Sequence, residues 1–521
     1  MPGQRSDHLL RLADAVLQPG FVGTTPPTWL RRRLAAGLGG VVLFSRNIVE
    51  PAQVAALTAA LRAENPDVIV AVDEEAGDVT RLESRTGSTR PGNLALGAVD
   101  DVRLTEAVAR ELGQELAATG ITLNYAPDAD VNSNADNPVI GARAFGSEPD
   151  LVARHTAAWV RGLQSAGVAA CAKHFPGHGN TTVDSHYAAP VIGATRDELF
   201  SCELVPFRAA VAAGVQAIMS AHLLVPAIDP DAPATLSRRL LTDLLRGELG
   251  FEGLIVTDGI EMGAVRLAYG LTGATVRALA AGADAICVGG EMADEETAIA
   301  LRDAIVDAVT SGALPEQRLV DAADRVRRVA GWIRAGQVRP DSNGNGTATG
   351  NGNGTGTDNG NGNGRGVSVG LAAARRAVRV TVDGADHRLP LAGPPHVVEF
   401  APVGNLAIGP DTPWGVAEPL GSLLPGTTVV RVTAGDLADP GSLRRVALDP
   451  AVGRPLVLVV RDAHRHDWMA RALRTLLAAR PDAVVVEMGV PAVRSGQVYL
   501  ATYGASRANG MAAAEVLAGR G

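Results

Sequence analysis

Short apolar runs alternate with helical patterns from the start of the chain to about residue 340. Most runs are four or five residues long and apolar throughout, which is typical of parallel strands buried on both faces. Helical stretches such as 51–62, 103–119 and 150–166 lie between many of them. Strands separated by helical crossovers predict an α/β fold, a (β/α)8 barrel of the TIM type, with a doubly wound open sheet as the alternative. The strand candidates are residues 15–17 (the weakest), 41–44, 68–72, 121–125, 168–171, 217–220, 254–257 and 285–288.

The hydrophobic pattern stops at a low-complexity tract and then resumes. Residues 341–366 are rich in glycine and asparagine and hold almost no apolar side chains, which predicts a disordered linker. A flexible tract of this length has an r.m.s. span of roughly 25–30 Å. We therefore expect a barrel in residues 1–340 and a smaller α/β sandwich domain in residues 367–521. The strand candidates of the smaller domain are 378–382, 397–400, 429–432, 456–460 and 484–488, with helices over 465–479 and 505–518.

Composition and charge narrow the possible classes of protein. The 521 residues are 46% hydrophobic, enough for sizeable buried cores, and the net charge of −9 argues against nucleic acid as a partner. Three scattered cysteines (Cys171, Cys202 and Cys287) are too few for a disulfide framework or a zinc cluster and indicate a reducing compartment. The N-terminal segment has no apolar run of signal-peptide length, and no stretch of about twenty apolar residues occurs. We expect a cytoplasmic protein without a membrane span.

Residues 172–187, AKHFPGHGNTTVDSHY, bring three histidines, one lysine and one aspartate into sixteen positions. Glycine and proline interrupt helix and strand alike, so this segment predicts a loop at the mouth of the preceding strand. His174, His178 and His186 could bind a metal, transfer protons or bind a substrate. A solvated loop with incidental histidines is the plainer alternative.

The motif KHFPGHG, followed after a short spacer by DSH, resembles the signature of family 3 glycoside hydrolases, in their exo-β-N-acetylglucosaminidase branch. The match runs over residues 173–179 and 184–186. The resemblance implies a retaining exo-glycosidase that releases terminal β-linked N-acetylglucosamine through a covalent glycosyl-aspartate intermediate, with no metal or cofactor. It also implies a small carbohydrate substrate, such as a muropeptide from peptidoglycan recycling. Residues 502–519 resemble the second domain of bacterial two-domain members.

Retaining hydrolysis needs a carboxylate nucleophile and a proton donor at the scissile bond. Asp258 follows a strand candidate closely, so we expect it at the barrel mouth, where it could be the nucleophile or a helix cap. The resemblance favours the nucleophile, because the family places its catalytic aspartate in this segment. His186 is the candidate acid/base, and Asp184, two residues earlier on an extended loop, would hold its tautomer. The resemblance implies the same histidine–aspartate dyad.

Asp73 and Arg143 are candidate sugar ligands. Asp73 ends a strand candidate, where its carboxylate can accept hydrogen bonds from adjacent hydroxyls, and the resemblance implies that role. Arg143 matches an arginine that binds the sugar in the family, although it could instead form an ion pair within its own loop. Members of the family usually read EGGRV after the aspartate, whereas this chain has Ala76 and Asp78 at two of these positions.

Lys173, His174 and His222 complete the predicted binding set. Lys173 and His174 follow the strand candidate 168–171 and could hold sugar hydroxyls, although a lysine there could equally pair with a barrel carboxylate. His222 follows the strand candidate 217–220 and could line the pocket. Glu261 would be a rival acid, but it lies in a predicted helix start, where acidic residues are common.

Three alternatives remain open from the sequence. A phosphorylase of N-acetylglucosaminides or a β-glucosidase would share the fold and most of the site. A metal-dependent barrel hydrolase would take its ligands from His174, His178, His186, His222 and Asp258. A sugar-binding protein without activity would have no need for Asp258, Asp184 and His186 together.

Overall fold

The computed structural model describes residues 6–181, 189–337, 368–384, 389–402, 407–409, 412–439 and 441–520. The predicted linker 341–366 lies outside these residues, as do Asp184 and His186. We refer to the described part of residues 6–337 as the barrel and to that of 368–520 as the second domain.

The barrel consists of eight short strands whose pairings are all parallel. Strands β2 to β7 pair in chain order, β1 pairs with β8, and a bridge from Val256 to Ala285 joins β8 to β7. This arrangement confirms the predicted (β/α)8 barrel and makes the open doubly wound sheet wrong for this part of the chain. The strands are β1 (Leu17–Pro19), β2 (Gly40–Leu43), β3 (Ile69–Val72), β4 (Leu123–Asn124), β5 (Ala169–Phe175), β6 (Ala217–Ser220), β7 (Leu254–Thr257) and β8 (Ile286–Val288).

Helices cover the outside of the barrel, and local signals start several of them. Asp101 accepts the backbone N–H groups of Arg103 and Leu104 and so caps one helix, and Thr195 forms a capping box with Glu198 at another. The helices are α1 (Asp7–Ala15), α2 (Thr28–Ala35), α3 (Pro51–Glu64), α4 (Asn93–Val99), α5 (Val102–Ala118), α6 (Pro149–Ser165), α7 (Arg196–Ser201), α8 (Val205–Ala212), α9 (Gly263–Tyr269), α10 (Leu271–Ala281), α11 (Glu295–Thr310) and α12 (Glu316–Gln337). A π-helical segment, Arg239–Glu248, precedes β7.

The barrel has two layers of apolar side chains. Inward-facing residues such as Ile69 and Val256 fill the centre, and the larger layer lies between the strands and the surrounding helices. Cys171 and Cys287 are buried in the inner layer, as expected for small core residues, and Cys202 is partly buried. The barrel is therefore a packed core, and its chemistry is confined to the ends of the strands.

Strand β5 differs from the sequence prediction. The expected loop from residue 172 begins later, because the strand continues through Lys173 and His174 to Phe175. Lys173 N donates to Pro127 O, and Lys173 O accepts Ala129 N–H, so the polar residues still have strand-like partners. Their side chains are buried at the barrel mouth because carboxylates are in place to pair with them.

The second domain is a mixed six-stranded sheet with helices on both faces, and its order is β11-β10-β12-β13-β14-β9. Only β9 runs antiparallel, against β14. The strand β14 was not predicted, because its four residues form a short run between polar segments. The elements are α13 (Val369–Ala377), β9 (Arg379–Val382), β10 (His396–Phe400), α14 (Ala417–Leu423), β11 (Thr428–Val432), β12 (Leu456–Val460), α15 (Asp467–Ala479), β13 (Val484–Glu487), β14 (Val498–Ala501) and α16 (Arg507–Leu517).

The second domain docks on the barrel mouth through the segments that follow its strands. Arg461, after β12, forms an ion pair with Asp78 in the loop after β3. His464 Nε2 lies 2.9 Å from the carbonyl oxygen of Ala135, which follows β4. The carboxyl ends of the two sheets therefore face each other, which places the second domain beside the barrel's functional end.

Among the described helices, no candidate combines the length and the apolar character needed to cross a membrane.

Candidate active site

A cavity of about 710 Å³ opens at the carboxyl ends of the barrel strands, where barrel enzymes hold their active sites. Most of its wall comes from the barrel, and residues 407–409 of the second domain contribute one side. The barrel residues that line it include Phe44, Arg46, Asp73, Glu75, Arg81, Tyr125, Arg143, Lys173, His174, His178, Met219, Asp258, Glu261, Arg266, Cys287 and Glu291. The predicted Asp73, Arg143, Lys173, His174 and Asp258 are therefore brought together.

Lys173 lies at the centre of the charged wall. Its Nζ is 2.6 Å from Asp73 Oδ1 and 2.7 Å from Glu75 Oε1, and its side chain is only 2% exposed. Burial lowers the pKa of this lysine, but the two carboxylates outweigh burial and hold the pKa above its ordinary value. The expected pairing with a barrel carboxylate is thus present, and it leaves Lys173 charged at neutral pH.

Glu75 joins this lysine to Arg143. Arg143 donates from Nε and Nη2 to the two oxygens of Glu75 at 2.9 and 2.8 Å, a bidentate pair that fixes both side chains. Burial raises the pKa of Glu75, but Arg143 and Lys173 hold it well below its ordinary value. Arg143 does not pair with Glu148 or Asp150 near the end of its own loop; its other carboxylate neighbour among the described residues is Asp128, whose Oδ2 lies 3.7 Å from Nη2.

His174 and His178 share the carboxylate of Asp130. His174 Nδ1 lies 2.7 Å from Asp130 Oδ2, and the backbone N–H of His178 donates to Oδ1 at 2.7 Å. The bond at Nδ1 leaves Nε2 of His174 directed towards the cavity wall, 3.3 Å from Arg143 Nη2. Burial lowers the pKa of His178 to about 4, so its ring is neutral near pH 7.

Asp258 follows β7 and reaches the cavity as predicted. Its backbone N–H donates to Ser220 O, and its Oδ1 accepts the N–H of Gly259 at 2.7 Å, which orients the carboxylate. The adjacent Glu261 is held differently, because its Oε1 accepts the N–H groups of Gly289 and Gly290. Burial raises the pKa of Glu261, so its carboxyl group is protonated more easily than that of an exposed glutamate.

His222 is not on the cavity wall, contrary to the expectation that it lines the pocket. The residue is fully buried, its Nδ1 lies 2.9 Å from Thr235 Oγ1, and its Nε2 lies 2.9 Å from the carbonyl oxygen of Gly259. Position 222 follows β6, but the next strand's loop covers it. In this position the imidazole supports the loop that carries Asp258.

The predicted acid/base pair, Asp184 and His186, lies outside the described residues. The structure does describe the start of their segment up to Thr181. Asn137 Nδ2 donates to the carbonyl oxygens of His178 and Gly179, and His178 Nδ1 lies 2.8 Å from Thr181 Oγ1. Residues 178–181 are therefore held in place beside the charged wall.

One group of described residues has the composition of a metal site. Asp128, Asp130 and His174 place three possible ligand atoms within 4.8 Å of one another. The ligand atoms of Asp130 and His174 already engage each other, and Arg143 Nη2 lies 3.7 Å from Asp128 Oδ2. A cation would therefore lie beside a guanidinium. Of the ligands proposed for a metal-dependent hydrolase, His174 alone belongs to this described group.

Sequence reasoning missed several residues of the charged wall. Glu75 and Asp130 lie three and five positions beyond a predicted strand end, so their place in the chain was a usable signal, whereas Arg81 lies nine positions beyond one. Tyr125 on the cavity floor belongs to a predicted strand, and its hydroxyl donates to Gln18 Oε1 at 2.5 Å. The contribution of residues 407–409 had no local signal, because it depends on how the domains dock.

A barrel with a cavity lined by charged side chains at the carboxyl ends of its strands is the arrangement typical of barrel enzymes. The glycosyl hydrolase family 3 N-terminal domain model matches residues 30–329, so this chain belongs to glycoside hydrolase family 3 and is a glycoside hydrolase. The family expected from KHFPGHG is confirmed.

Three proteins are similar to this chain over half of its length or more. The β-hexosaminidase of Nitrosomonas eutropha is 37% identical over 327 residues, which cover 60% of this chain and 93% of the relative. β-Hexosaminidase A of Pseudoalteromonas piscicida is 36% identical over 283 residues; the match spans 50% of this chain but only 47% of that longer protein. The solved structure of a family 3 β-N-acetylglucosaminidase from Paenibacillus sp. str. FPU-7 superposes with a TM-score of 0.85 at 34% identity, covering 98% of this chain and 97% of that one.

Proposed function

We propose that the chain is a retaining exo-β-N-acetylglucosaminidase that releases terminal β-linked N-acetylglucosamine, with fragments of peptidoglycan as the natural substrate class. The observation that carries this proposal is the cavity itself, in which Asp258 faces a fixed network of Asp73, Lys173, Glu75 and Arg143. Such a network offers donors and acceptors for the hydroxyls of one sugar. The names of the similar proteins support N-acetylglucosamine over glucose.

In the proposed mechanism, Asp258 attacks the anomeric carbon and forms a glycosyl ester while the leaving oxygen receives a proton. His186 gives that proton and then takes one from the attacking water, and Asp184 holds the required tautomer of the imidazole. Lys173, Arg143, His174 and Asp73 hold the sugar against the nucleophile. No step calls for a metal or a redox cofactor.

The charges of the sugar-binding wall are nearly balanced. The carboxylates of Asp73 and Glu75 are neutralised by Lys173 and Arg143, so the ligand meets a wall of nearly balanced charge. Balanced charge in the sugar-binding wall therefore spares the nucleophile strong repulsion.

The free cysteines support a reducing location, so we place the reaction in the cytoplasm. A β-glucosidase or a phosphorylase activity would require the same fold and most of the same site, and the test below distinguishes both from the proposed activity.

The test is release of p-nitrophenol from its β-N-acetylglucosaminide and its β-glucoside, with and without phosphate, by the wild type, His186→Ala and the control His8→Ala. His8 is an exposed histidine on α1. We expect strong preference for N-acetylglucosamine, with loss in His186→Ala and normal rates in the control. Equal or faster cleavage of the glucoside would contradict the substrate class, and sugar 1-phosphate as the product would replace hydrolysis by phosphorolysis.

A further inference from the structure

The loop after β3, residues 73–82, has two functional sides. On one side Asp73 and Glu75 hold the lysine and arginine of the cavity wall. On the other side Asp78 contacts the second domain. We call this segment the β3 loop. Its two sides are only three residues apart, so the position of the second domain is connected to the cavity through a very short path.

The β3 loop is stiff, because its own polar groups close it. Glu74 Oε2 accepts the backbone N–H groups of Arg81 and Leu82 at 2.7 and 2.8 Å, and Glu75 N donates to Val79 O at 3.0 Å. Gly77 has a φ of +63°, and a Cβ there would lie 2.4 Å from the Cα of Gly92. A displacement at Asp78 is thus carried to Glu75 instead of being absorbed by the loop.

Both oxygens of Asp78 are bound by the second domain. Arg461 Nη2 lies 2.5 Å from Oδ2, and the backbone N–H of Ala505 donates to Oδ1 at 2.7 Å. The Asp78 and Arg461 side chains are 7% and 13% exposed, so the pair is poorly screened by solvent. Farther along the loop, Arg81 Nη2 donates to Ala407 O at 3.0 Å, beside the second-domain part of the cavity wall.

We propose that Asp78 and Arg461 are positioning residues, which fix the β3 loop so that Glu75 and Asp73 hold Lys173 and Arg143 in the sugar-binding geometry. The proposal rests on the proposed function and gives the second domain a part in it. The second domain then acts on substrate binding through the β3 loop, in addition to lining the cavity with residues 407–409.

A second pair between the domains provides a matched control. Arg376 Nη1 lies 2.9 Å from Asp101 Oδ2, but this pair is exposed and joins the second domain to the start of α5, away from the β3 loop. Arg461→Ala and Arg376→Ala therefore both remove one arginine from the interface, and only the first one releases the β3 loop.

The kinetic test compares the two variants and Arg461→Lys on p-nitrophenyl β-N-acetylglucosaminide. For Arg461→Ala we expect KM to rise about tenfold while kcat changes less than about threefold, because sugar positioning is lost and the reacting groups are intact. Arg461→Lys should recover part of the loss, and Arg376→Ala should match the wild type. Equal kinetics for Arg461→Ala and Arg376→Ala would overturn the proposal.

A second readout separates this inference from the proposed function. Amide hydrogen exchange in peptides that cover residues 73–82 should be faster in Arg461→Ala than in the wild type or in Arg376→Ala. This result does not depend on the substrate, so it decides the positioning role even if the wild type fails to cleave N-acetylglucosaminides. If Arg461→Ala does not fold, Asp78→Asn, which retains an acceptor for Ala505 N–H, takes its place in both measurements. Unchanged exchange in the β3 loop would overturn the proposal.

Discussion

The barrel and the sheet of the second domain both place charged side chains at the carboxyl ends of parallel strands, but the two ends have different surroundings. In the barrel, Asp73, Lys173 and Asp258 face a cavity. In the second domain, Arg461 and His464 occupy the corresponding ends and contact loops of the barrel. The crevice where an open α/β sheet commonly binds a ligand is therefore covered here by another part of the same chain.

The comparison shows that position in the fold does not by itself create an active site. Glu399 is the penultimate residue of β10 and pairs with Arg431, much as Glu75 pairs with Arg143 in the barrel. The pair in the barrel lines the cavity, whereas the pair in the second domain does not. Access to the cavity decides which of two similar ion pairs can meet a ligand.

We expect the largest difference in activity between variants of two carboxylates near strand ends, Asp258 in the barrel and Glu399 in the second domain. Asp258→Asn should reduce kcat/KM about 10⁴-fold or more, because the nucleophile is lost, whereas Glu399→Gln should leave activity within about threefold of the wild type. Initial rates on p-nitrophenyl β-N-acetylglucosaminide would measure both, with melting curves as the control for folding. A modest loss in Asp258→Asn would remove it from the role of nucleophile.

Matched changes in the two arginine–glutamate pairs should give the next largest difference. Arg143→Lys retains the charge but loses the bidentate contact with Glu75, so we expect KM to rise about tenfold to a hundredfold. Arg431→Lys breaks a similar contact with Glu399 and should leave KM unchanged. Steady-state kinetics of both variants provide the measurement, and equal effects would contradict a binding role for Arg143.

The two regions should also respond to pH in opposite directions. Burial holds the pKa of His178 down to about 4, so its contribution to stability is present above about pH 6.5 and is lost as pH falls through 4. Burial and the charge of Asp462 raise the pKa of Glu487 to about 8, so its contribution is present below about pH 4.5 and is lost as pH rises through 8. In His178→Gln, the fall in the free energy of unfolding towards acidic pH should be smaller than in the wild type, by about 3 kcal/mol at most. In Glu487→Gln, the fall towards alkaline pH should be smaller.

Denaturant unfolding at several pH values between 4 and 9 would measure both limbs. Each variant removes only the contribution of its own side chain to the pH dependence of the free energy of unfolding. Unchanged slopes in either variant would contradict the buried, neutral state assigned to that group.

The smallest expected effect tests whether the second domain meets the leaving group. Ile408 lines the cavity, so Ile408→Ala should raise KM about threefold for a disaccharide substrate and change it little for the smaller p-nitrophenyl glycoside. Val429→Ala, at an exposed site of the same domain, is the control. Equal effects on the two substrates would indicate that the leaving group does not reach this wall.

The fold could be predicted where apolar runs were short and continuous. Strands β6 and β7 were predicted with the bounds that the structure has, because residues 217–220 and 254–257 are closed off by polar or glycine-containing turns. The end of β5 was wrong, since Lys173 and His174 are polar residues in a strand whose partners come from distant carboxylates. Local hydropathy does not show such long-range pairing.

The candidate site was predictable in part for the same reason. Asp73 and Asp258 follow strands directly, so the barrel topology alone brings them to one end. Glu75 and Asp130 were missed because their roles depend on Arg143 and His174, which lie far away in sequence. The docking of the second domain through Asp78 was beyond prediction, since linker composition does not fix the position of the domains it joins.

The most direct test of the central claim is to locate the covalent intermediate. His186→Ala, supplied with a substrate that has an activated leaving group, should accumulate the glycosyl-enzyme, because formation no longer needs proton donation while water attack lacks its base. Peptide mapping by mass spectrometry should then place one N-acetylglucosaminyl residue on Asp258. An adduct on another residue would contradict the account, and so would rapid turnover to a product of inverted configuration with no adduct.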